Sequence, residues 1–222
     1  MPDKPKVLRK QIINIGKKLY RLGLIAGRAG NLSARIDRNN LLITATGCAL
    51  GNLKYCDILK VDLTKKKEAK VKPVSSEFPL HSLIYQNFAS KVVIHCHPPL
   101  TNAYFSVYTS IKPLTLETKF YLGEIPVVKQ KTPTVTRPEA VIAALKKAKL
   151  VVLKNHGVLS VGENFDVALS LIETLESAVK VVVVARLLQQ KIPDPLNKQL
   201  KKYLARDGHS QDISRKSSDS AA

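Results

Sequence analysis

Apolar residues recur at Val7, Ile12, Ile13, Ile15, Leu19 and Leu22. That spacing predicts a helix over residues 6–23, ending at Gly23. Residues 26–31, Ala-Gly-Arg-Ala-Gly-Asn, read as a turn-rich loop. Strand-like runs follow at 32–37, at 41–44 beyond an Asn39-Asn40 turn, and at 58–62. Ser75-Ser76-Glu77 resembles a helix entry, with Ser76 as N-cap of a helix running to about Phe88. Pro79 lies early enough in that helix to be tolerated. Residues 91–97, Lys-Val-Val-Ile-His-Cys-His, form a β-branched strand stopped by Pro98-Pro99, with a helix expected over 100–107. Runs at 126–130 and 150–154 read as buried strands, with a Pro138-led helix between them. Asn164 caps a long helix from Phe165 to about Gln190. Strands alternating with helices predict a layered α/β domain. No linker divides residues 1–205, and residues 206–222 read as a polar, disordered tail.

Composition narrows the function. Of 222 residues 45% are hydrophobic and 24% charged, which suits a folded soluble domain rather than a disordered chain. The longest apolar run, residues 181–185, is far short of a membrane span, and the first six residues lack the apolar core of a signal peptide. A cytoplasmic protein is therefore expected. Three cysteines without a Cys-x-x-Cys pair exclude a disulfide scaffold. The net charge of +19 suits either a nucleic-acid footprint or a lysine-covered enzyme with an anionic substrate. The excess is spread over residues 1–21, 54–72, 129–154 and 180–222, and aromatics are only 5%. That distribution favours the solvated surface over nucleic-acid binding.

Placement of the histidines carries more information. His95 and His97 are two apart on a predicted strand and project from one face, while Cys96 points into the core. His156 follows the 150–154 strand in the turn Asn155-His156-Gly157. Three imidazoles at the ends of neighbouring strands would give a catalytic zinc its three protein ligands and leave a position open. Each alone reads more readily as an ordinary hydrogen-bonded histidine; the combination, with a carboxylate upstream at Glu77, points to a metal.

Gly30-Asn31-Leu32-Ser33, Thr44-Ala45-Thr46-Gly47, Pro73-Val74-Ser75-Ser76-Glu77, His95-Cys96-His97 and Asn155-His156-Gly157, in this order and spacing, resemble the class II aldolase/adducin family. Its enzymes include L-fuculose-1-phosphate aldolase and L-ribulose-5-phosphate 4-epimerase. The resemblance spans about residues 7–190. It implies a single three-layer αβα domain with a mostly antiparallel or mixed central sheet, and zinc or another divalent metal held by His95, His97 and His156. It also implies a homotetramer with sites between subunits. Glu77 would carry protons to and from carbon, glutamate here matching the aldolases where the epimerases have aspartate. Gly30, Asn31, Thr46, Gly47, Ser75 and Ser76 would bind the substrate phosphate. The implied reaction is cleavage of a ketose 1-phosphate to dihydroxyacetone phosphate and a short hydroxyaldehyde such as lactaldehyde, a step of carbohydrate metabolism.

Other readings stay open. Glu77 also suits a first-turn helix acid, the glycines plain turns, and His81, four residues after Glu77, either a packed histidine or a group that orients the carboxylate. The family's aldolases use tyrosines to protonate the aldehyde oxygen; residues 114–121 do not align with that loop, leaving Tyr121 and Tyr203 as candidates. A 4-epimerase, a methylthioribulose-1-phosphate dehydratase and a non-enzymatic adducin-like module are the alternatives on the same scaffold.

Overall fold

The computed structural model describes residues 3–64, 73–130, 132, 134–135 and 137–188. The proposed tail, Tyr203 and His209 lie outside the described residues. Among the described residues seven strands form one sheet: β1 Asn31–Arg35, β2 Asn40–Thr44, β3 Ile58–Asp62, β4 Val92–Cys96, β5 Val127–Lys129, β6 Leu150–Lys154 and β7 Gly157–Gly162. Their order is β3-β2-β1-β4-β7-β6-β5, antiparallel throughout except for the parallel β5–β6 pair. The helices are α1 Lys4–Arg21, α2 Phe78–Asn87, α3 Pro99–Val107, α4 Leu116–Leu122, α5 Pro138–Leu145 and α6 Phe165–Leu187.

Alternation along the strands sorts the helices into two layers. Leu32, Ala34, Ile94, Cys96, Val152 and Val158 pack with residues of α1, α3, α4 and α6. Leu41, Ile43, Val93, Val151, Leu153 and Leu159 pack with residues of α2 and α5 on the other face. The predicted three-layer α/β domain with a mostly antiparallel, mixed sheet is the observed one. In α6, Phe165, Ala168, Leu169, Ile172, Leu175, Val179 and Val182 repeat at helical spacing and are buried. Asn164 Oδ1 accepts from Val167 N at 2.9 Å, the predicted cap. In α1 the stripe is Ile12, Ile15 and Leu19, and Gly23 takes the left-handed conformation just past the helix end (φ 68°).

The structure corrects several expected boundaries. The first turn of the sheet is driven by Asp37, whose carboxylate accepts from Asn39 N at 2.8 Å and Asn40 N at 2.9 Å. Asn40 therefore already belongs to β2. Ser76 is not the N-cap of α2. Glu77 occupies that position and Ser76 is exposed, because Phe78 N closes a turn onto the Ser75 carbonyl at 2.9 Å. The run expected as a buried strand over 126–130 is the three-residue edge strand β5, only partly covered. Strand β7 and helix α4 were not expected from the pattern. The glycines at both ends of β7 and Ser160 within it interrupt the apolar run.

Glu176 of α6 ties this frame to the chain segment leaving His97. Its carboxylate accepts from Leu100 N (3.0 Å), Thr101 N (2.8 Å) and Thr101 Oγ1 (2.6 Å), satisfying free N–H groups of the first turn of α3. Glu176→Ala is expected to lower stability by about 2 kcal/mol, measured by denaturant unfolding; an unchanged midpoint would show that water replaces these bonds at no cost.

Candidate metal centre and active site

Strand pairing assembles the three histidines. His95 is the fourth residue of β4, and the neighbour of β4 is β7 rather than the predicted β6. His156 arrives through the β6–β7 hairpin, whose tight turn places Asn155 at φ 64°, a conformation that asparagine tolerates. His97 lies just beyond β4, its N–H bonded to the Leu24 carbonyl at 3.1 Å. The three ring centroids stand 4.8 Å apart in every pair. One nitrogen from each ring can be chosen so that all lie within 4.8 Å of one another.

The donor set fits a divalent cation. His95 Nδ1 is 3.0 Å from the Val158 carbonyl oxygen, which only accepts, so the proton sits on Nδ1 and Nε2 turns a lone pair into the cluster. His95 Nε2 and His97 Nε2 are 3.0 Å apart. Two imidazole nitrogens bonded at about 2.0–2.1 Å to one tetrahedral cation would stand about 3.3 Å apart. Burial pushes the His95 and His97 imidazoles below their ordinary value, His97 to about 3; the nearby His156 acts the same way on both and His95 on His97, against an opposing pull from Glu77. Both are therefore neutral at physiological pH, the form a metal requires.

Glu77 stands beside the imidazoles. Its Oε1 is 3.1 Å from His156 Nε2 and its Oε2 is 3.6 Å from His95 Nε2, with the residue 5% exposed. Burial works against its ionisation. The neighbouring His95 and hydrogen bonds from His156 and Asn31 outweigh that, and the carboxyl is held well below the usual carboxylate range. Its position comes from the turn before α2, where Ser75 Oγ accepts from Glu77 N at 3.3 Å.

The remaining sequence candidates divide into two groups. Asn31 lies opposite His95 in the β1–β4 register, and its amide donates to Glu77 Oε2 at 3.2 Å. Gly30, at φ 83°, brings the chain so near β4 that a Cβ would stand 2.7 Å from the His95 carbonyl oxygen. Thr46 N donates to the Pro73 carbonyl at 3.0 Å and Ala45 bridges Val74, so the turn carrying Thr46 and Gly47 lies against the turn carrying Ser75 and Ser76. Tyr121, by contrast, is exposed on α4 with its ring edge-on to Phe120. His81 is fully buried, its Nε2 2.6 Å from Asn31 Oδ1. Ser33 and Tyr85, absent from the sequence candidates, adjoin it: Ser33 Oγ is 2.6 Å from His81 Nδ1 and 2.8 Å from Tyr85 Oη. The spacing of Glu77, His81 and Tyr85, four residues apart each time on one helix, was the signal that could have found them.

Two outcomes follow from this geometry. A Cβ at Gly157 would meet the Cys96 carbonyl oxygen at 2.4 Å and His97 Cδ2 at 2.8 Å. Gly157→Ala is therefore expected to weaken metal affinity by about 10- to 100-fold through displaced ligands, read by competition with a chelator; unchanged affinity would refute the close packing. Burial pushes His81 down to about 4 from an ordinary 6.5. The unfolded chain thus takes up a proton below about pH 6.5 that the folded chain refuses until about pH 4. This group's contribution is complete above pH 6.5 and lost as pH falls, about 3 kcal/mol in all. Denaturant unfolding of metal-free protein at pH 7 and pH 4.5 should show that fall, and His81→Gln a smaller one; equal falls would place the acid sensitivity elsewhere.

Comparison with known proteins places the chain in a family. Residues 10–183 match the family described as the class II aldolase and adducin N-terminal domain. L-fuculose phosphate aldolase of Methanocaldococcus jannaschii is 32% identical over 191 residues, covering 82% of this chain and 99% of that protein. The 3-oxo-tetronate 4-phosphate decarboxylase of Pectobacterium atrosepticum is 31% identical over 183 residues, covering 79% and 84%. The crystal structure of L-fuculose-1-phosphate aldolase from Thermus thermophilus superposes with a TM-score of 0.74 at 30% identity, covering 85% of this chain and 98% of that one. With the histidine cluster, the mixed sheet and this match over most of its length, the chain belongs to the class II aldolase and adducin family and is an enzyme of that superfamily.

Proposed function

We propose that the protein is a zinc-dependent aldolase of the cytoplasm that reversibly cleaves a ketose 1-phosphate, fuculose 1-phosphate or a close analogue, to dihydroxyacetone phosphate and a short hydroxyaldehyde such as lactaldehyde. The observation that carries this reading is the buried Glu77 carboxylate standing 3.1 Å from His156 Nε2, at the edge of three converging imidazoles. His95, His97 and His156 would hold the cation. When bound, it would supply the Lewis acidity that stabilises the negative charge left when a carbon–carbon bond next to a ketone breaks. Glu77 does the proton transfer: the carboxylate removes a proton from the hydroxymethyl carbon in condensation, and in cleavage, the reverse, its protonated form gives that proton back to the carbon. Burial keeps bulk water from competing for that proton. Gly30, Asn31, Thr46, Gly47, Ser75 and Ser76 are the proposed phosphate contacts, Gly30 and Gly47 having left-handed backbones that allow N–H groups to approach an anion closely.

A second reading is favoured by the decarboxylase relative. Removing carbon dioxide from a four-carbon 3-oxo acid 4-phosphate leaves the same three-carbon enediolate that aldol cleavage leaves. Only the departing fragment differs. An aldehyde requires proton transfer at its oxygen and carbon dioxide does not, so the two reactions share Glu77 and the metal and differ in any acid on the aldehyde side. The family's tetrameric assembly is the proposed state; exposed apolar residues at the ends of α3 and α6 (Val107, Tyr108, Leu187 and Leu188) suit a subunit contact.

Purified metal-replete protein should condense dihydroxyacetone phosphate with lactaldehyde. Failure to do so, with decarboxylation of 3-oxo-tetronate 4-phosphate, would move the assignment to the second reading. Glu77→Gln is expected to retain metal and lose about 10²- to 10⁴-fold in kcat. His95→Ala should lose both, as measured by elemental analysis beside turnover.

A further inference from the structure

We infer that His81, with Ser33 and Tyr85 behind it, is a positioning relay that holds the Glu77 carboxylate in place through Asn31. Four contacts join the five residues: Tyr85 Oη to Ser33 Oγ at 2.8 Å, Ser33 Oγ to His81 Nδ1 at 2.6 Å, His81 Nε2 to Asn31 Oδ1 at 2.6 Å, and Asn31 Nδ2 to Glu77 Oε2 at 3.2 Å. All five side chains are buried. The inference rests on the reading of Glu77 as the proton-transfer group.

The chemistry of the groups permits one direction along the chain. Asn31 turns its NH₂ toward Glu77 Oε2 and its oxygen toward His81, and an amide NH₂ only donates while its oxygen only accepts. His81 Nε2 then carries the proton, and a neutral imidazole has only one, so Nδ1 accepts from the Ser33 hydroxyl. The oxygen of Ser33 in turn accepts from Tyr85 O–H. Every donor points toward Glu77. Without His81 only the carboxylate, at 3.2 Å, distinguishes the two ends of the Asn31 amide, whereas the shorter 2.6 Å contact to His81 Nε2 holds the oxygen end in place. His81 thus anchors the Asn31 amide from its far end, and Asn31 orients the carboxylate.

Two periodicities build the relay. Asn31, Ser33 and Arg35 alternate onto one face of β1, and Glu77, His81 and Tyr85 line one stripe of α2 above it. Arg35 clamps the far end, its guanidinium 4.8 Å above the Tyr85 ring and bonded to the Tyr85 and Phe88 carbonyls (the latter at 3.0 Å). The carboxylate is thereby connected to the whole length of a helix docked on the sheet, which is what reproducible proton transfer to one carbon requires.

The test combines spectroscopy on the metal-free protein with kinetics on the loaded enzyme. Imidazole nitrogen NMR of the wild type near pH 7 should show His81 as the Nε2–H tautomer, and Ser33→Ala should move it toward a mixture. In the exchange of dihydroxyacetone phosphate hydrogen with solvent deuterium, His81→Leu should lower kcat by about 10- to 100-fold with KM within about twofold. His81→Gln, whose amide nitrogen can replace Nε2–H, should recover most of the loss. An Nδ1–H tautomer in the wild type, full turnover in His81→Leu, or equal losses in the Leu and Gln variants would each overturn the relay. If His81→Leu does not fold, the wild-type tautomer and its response to Ser33→Ala decide the question. Glu77→Gln separates the two levels. Exchange at the wild-type rate in that variant overturns the reading of Glu77 itself, whereas a silent Glu77→Gln beside a fully active His81→Leu overturns only the relay.

Discussion

A carboxylate taken out of water beside three imidazoles is the condition on which this structure turns. An unpaired buried charge costs several kcal/mol, and Glu77 avoids that cost because hydrogen bonds reach it from separate parts of the fold. His156 comes from the β6–β7 turn, Asn31 from β1, and Ser75 fixes its backbone. His95 and His97, in contrast, are kept neutral by the same burial that the carboxylate resists. One carboxylate beside three imidazoles whose nitrogens converge is a donor set that suits a divalent cation, whatever the likeness to other proteins.

Strand register makes the arrangement specific. Asn31 pairs with His95 across β1–β4, and His95 with Leu159 across β4–β7. Side chains alternate strictly along β4, so a slip of one residue would turn Cys96 into the cluster and bury His95 against α6. The slip is opposed on both faces at once, since Ile94 and Cys96 belong to one core and Val93 to the other. The glycines on either side add a steric limit: Gly30 and Gly157 lie against the β4 backbone where any Cβ would collide. Packing of ordinary apolar residues therefore sets the spacing of the imidazoles, and the histidines themselves need contribute little to folding.

Much of this was legible in the sequence because the relevant signals are local. The β-branched run before His95, the apolar stripe and Asn164 cap of α6, and the His-x-His spacing each report a short-range preference, and each appears where expected. What escaped depended on contacts distant in sequence. Strand β7 carries a weak apolar signal because Gly157 must be small to pass His97, and Gly162 to admit Ala168. The N-terminus of α2 was misread because Ser76 has the right chemistry for a cap, but the turn onto the Ser75 carbonyl gives the position to Glu77. Ser33 and Tyr85 look like an unremarkable strand serine and helix tyrosine until β1 and α2 are placed face to face. The sequence leaves His81 as either packed or orienting. It is both, since the hydrogen bonds that satisfy its burial are the ones that lead to Glu77.

The division of labour also explains why similarity of 31% to a decarboxylase and 32% to an aldolase fits one chain. On the proposed reading, each reaction passes through the enediolate of dihydroxyacetone phosphate, so each requires the same cation, the same carboxylate and the same phosphate contacts. Those demands fall on β1, β4, the β6–β7 turn and the entry to α2, where register and glycine packing leave little freedom to vary. The departing fragment makes a different demand: an aldehyde leaves only as its hydroxyl gives up a proton, which condensation must return, and carbon dioxide exchanges none. That demand can be met by a single hydroxyl supplied from outside the constrained frame, from a loop or from a neighbouring subunit. A scaffold of this kind conserves how the charge is stabilised and changes what leaves, which makes the aldehyde-side acid the residue whose presence separates one activity from the other.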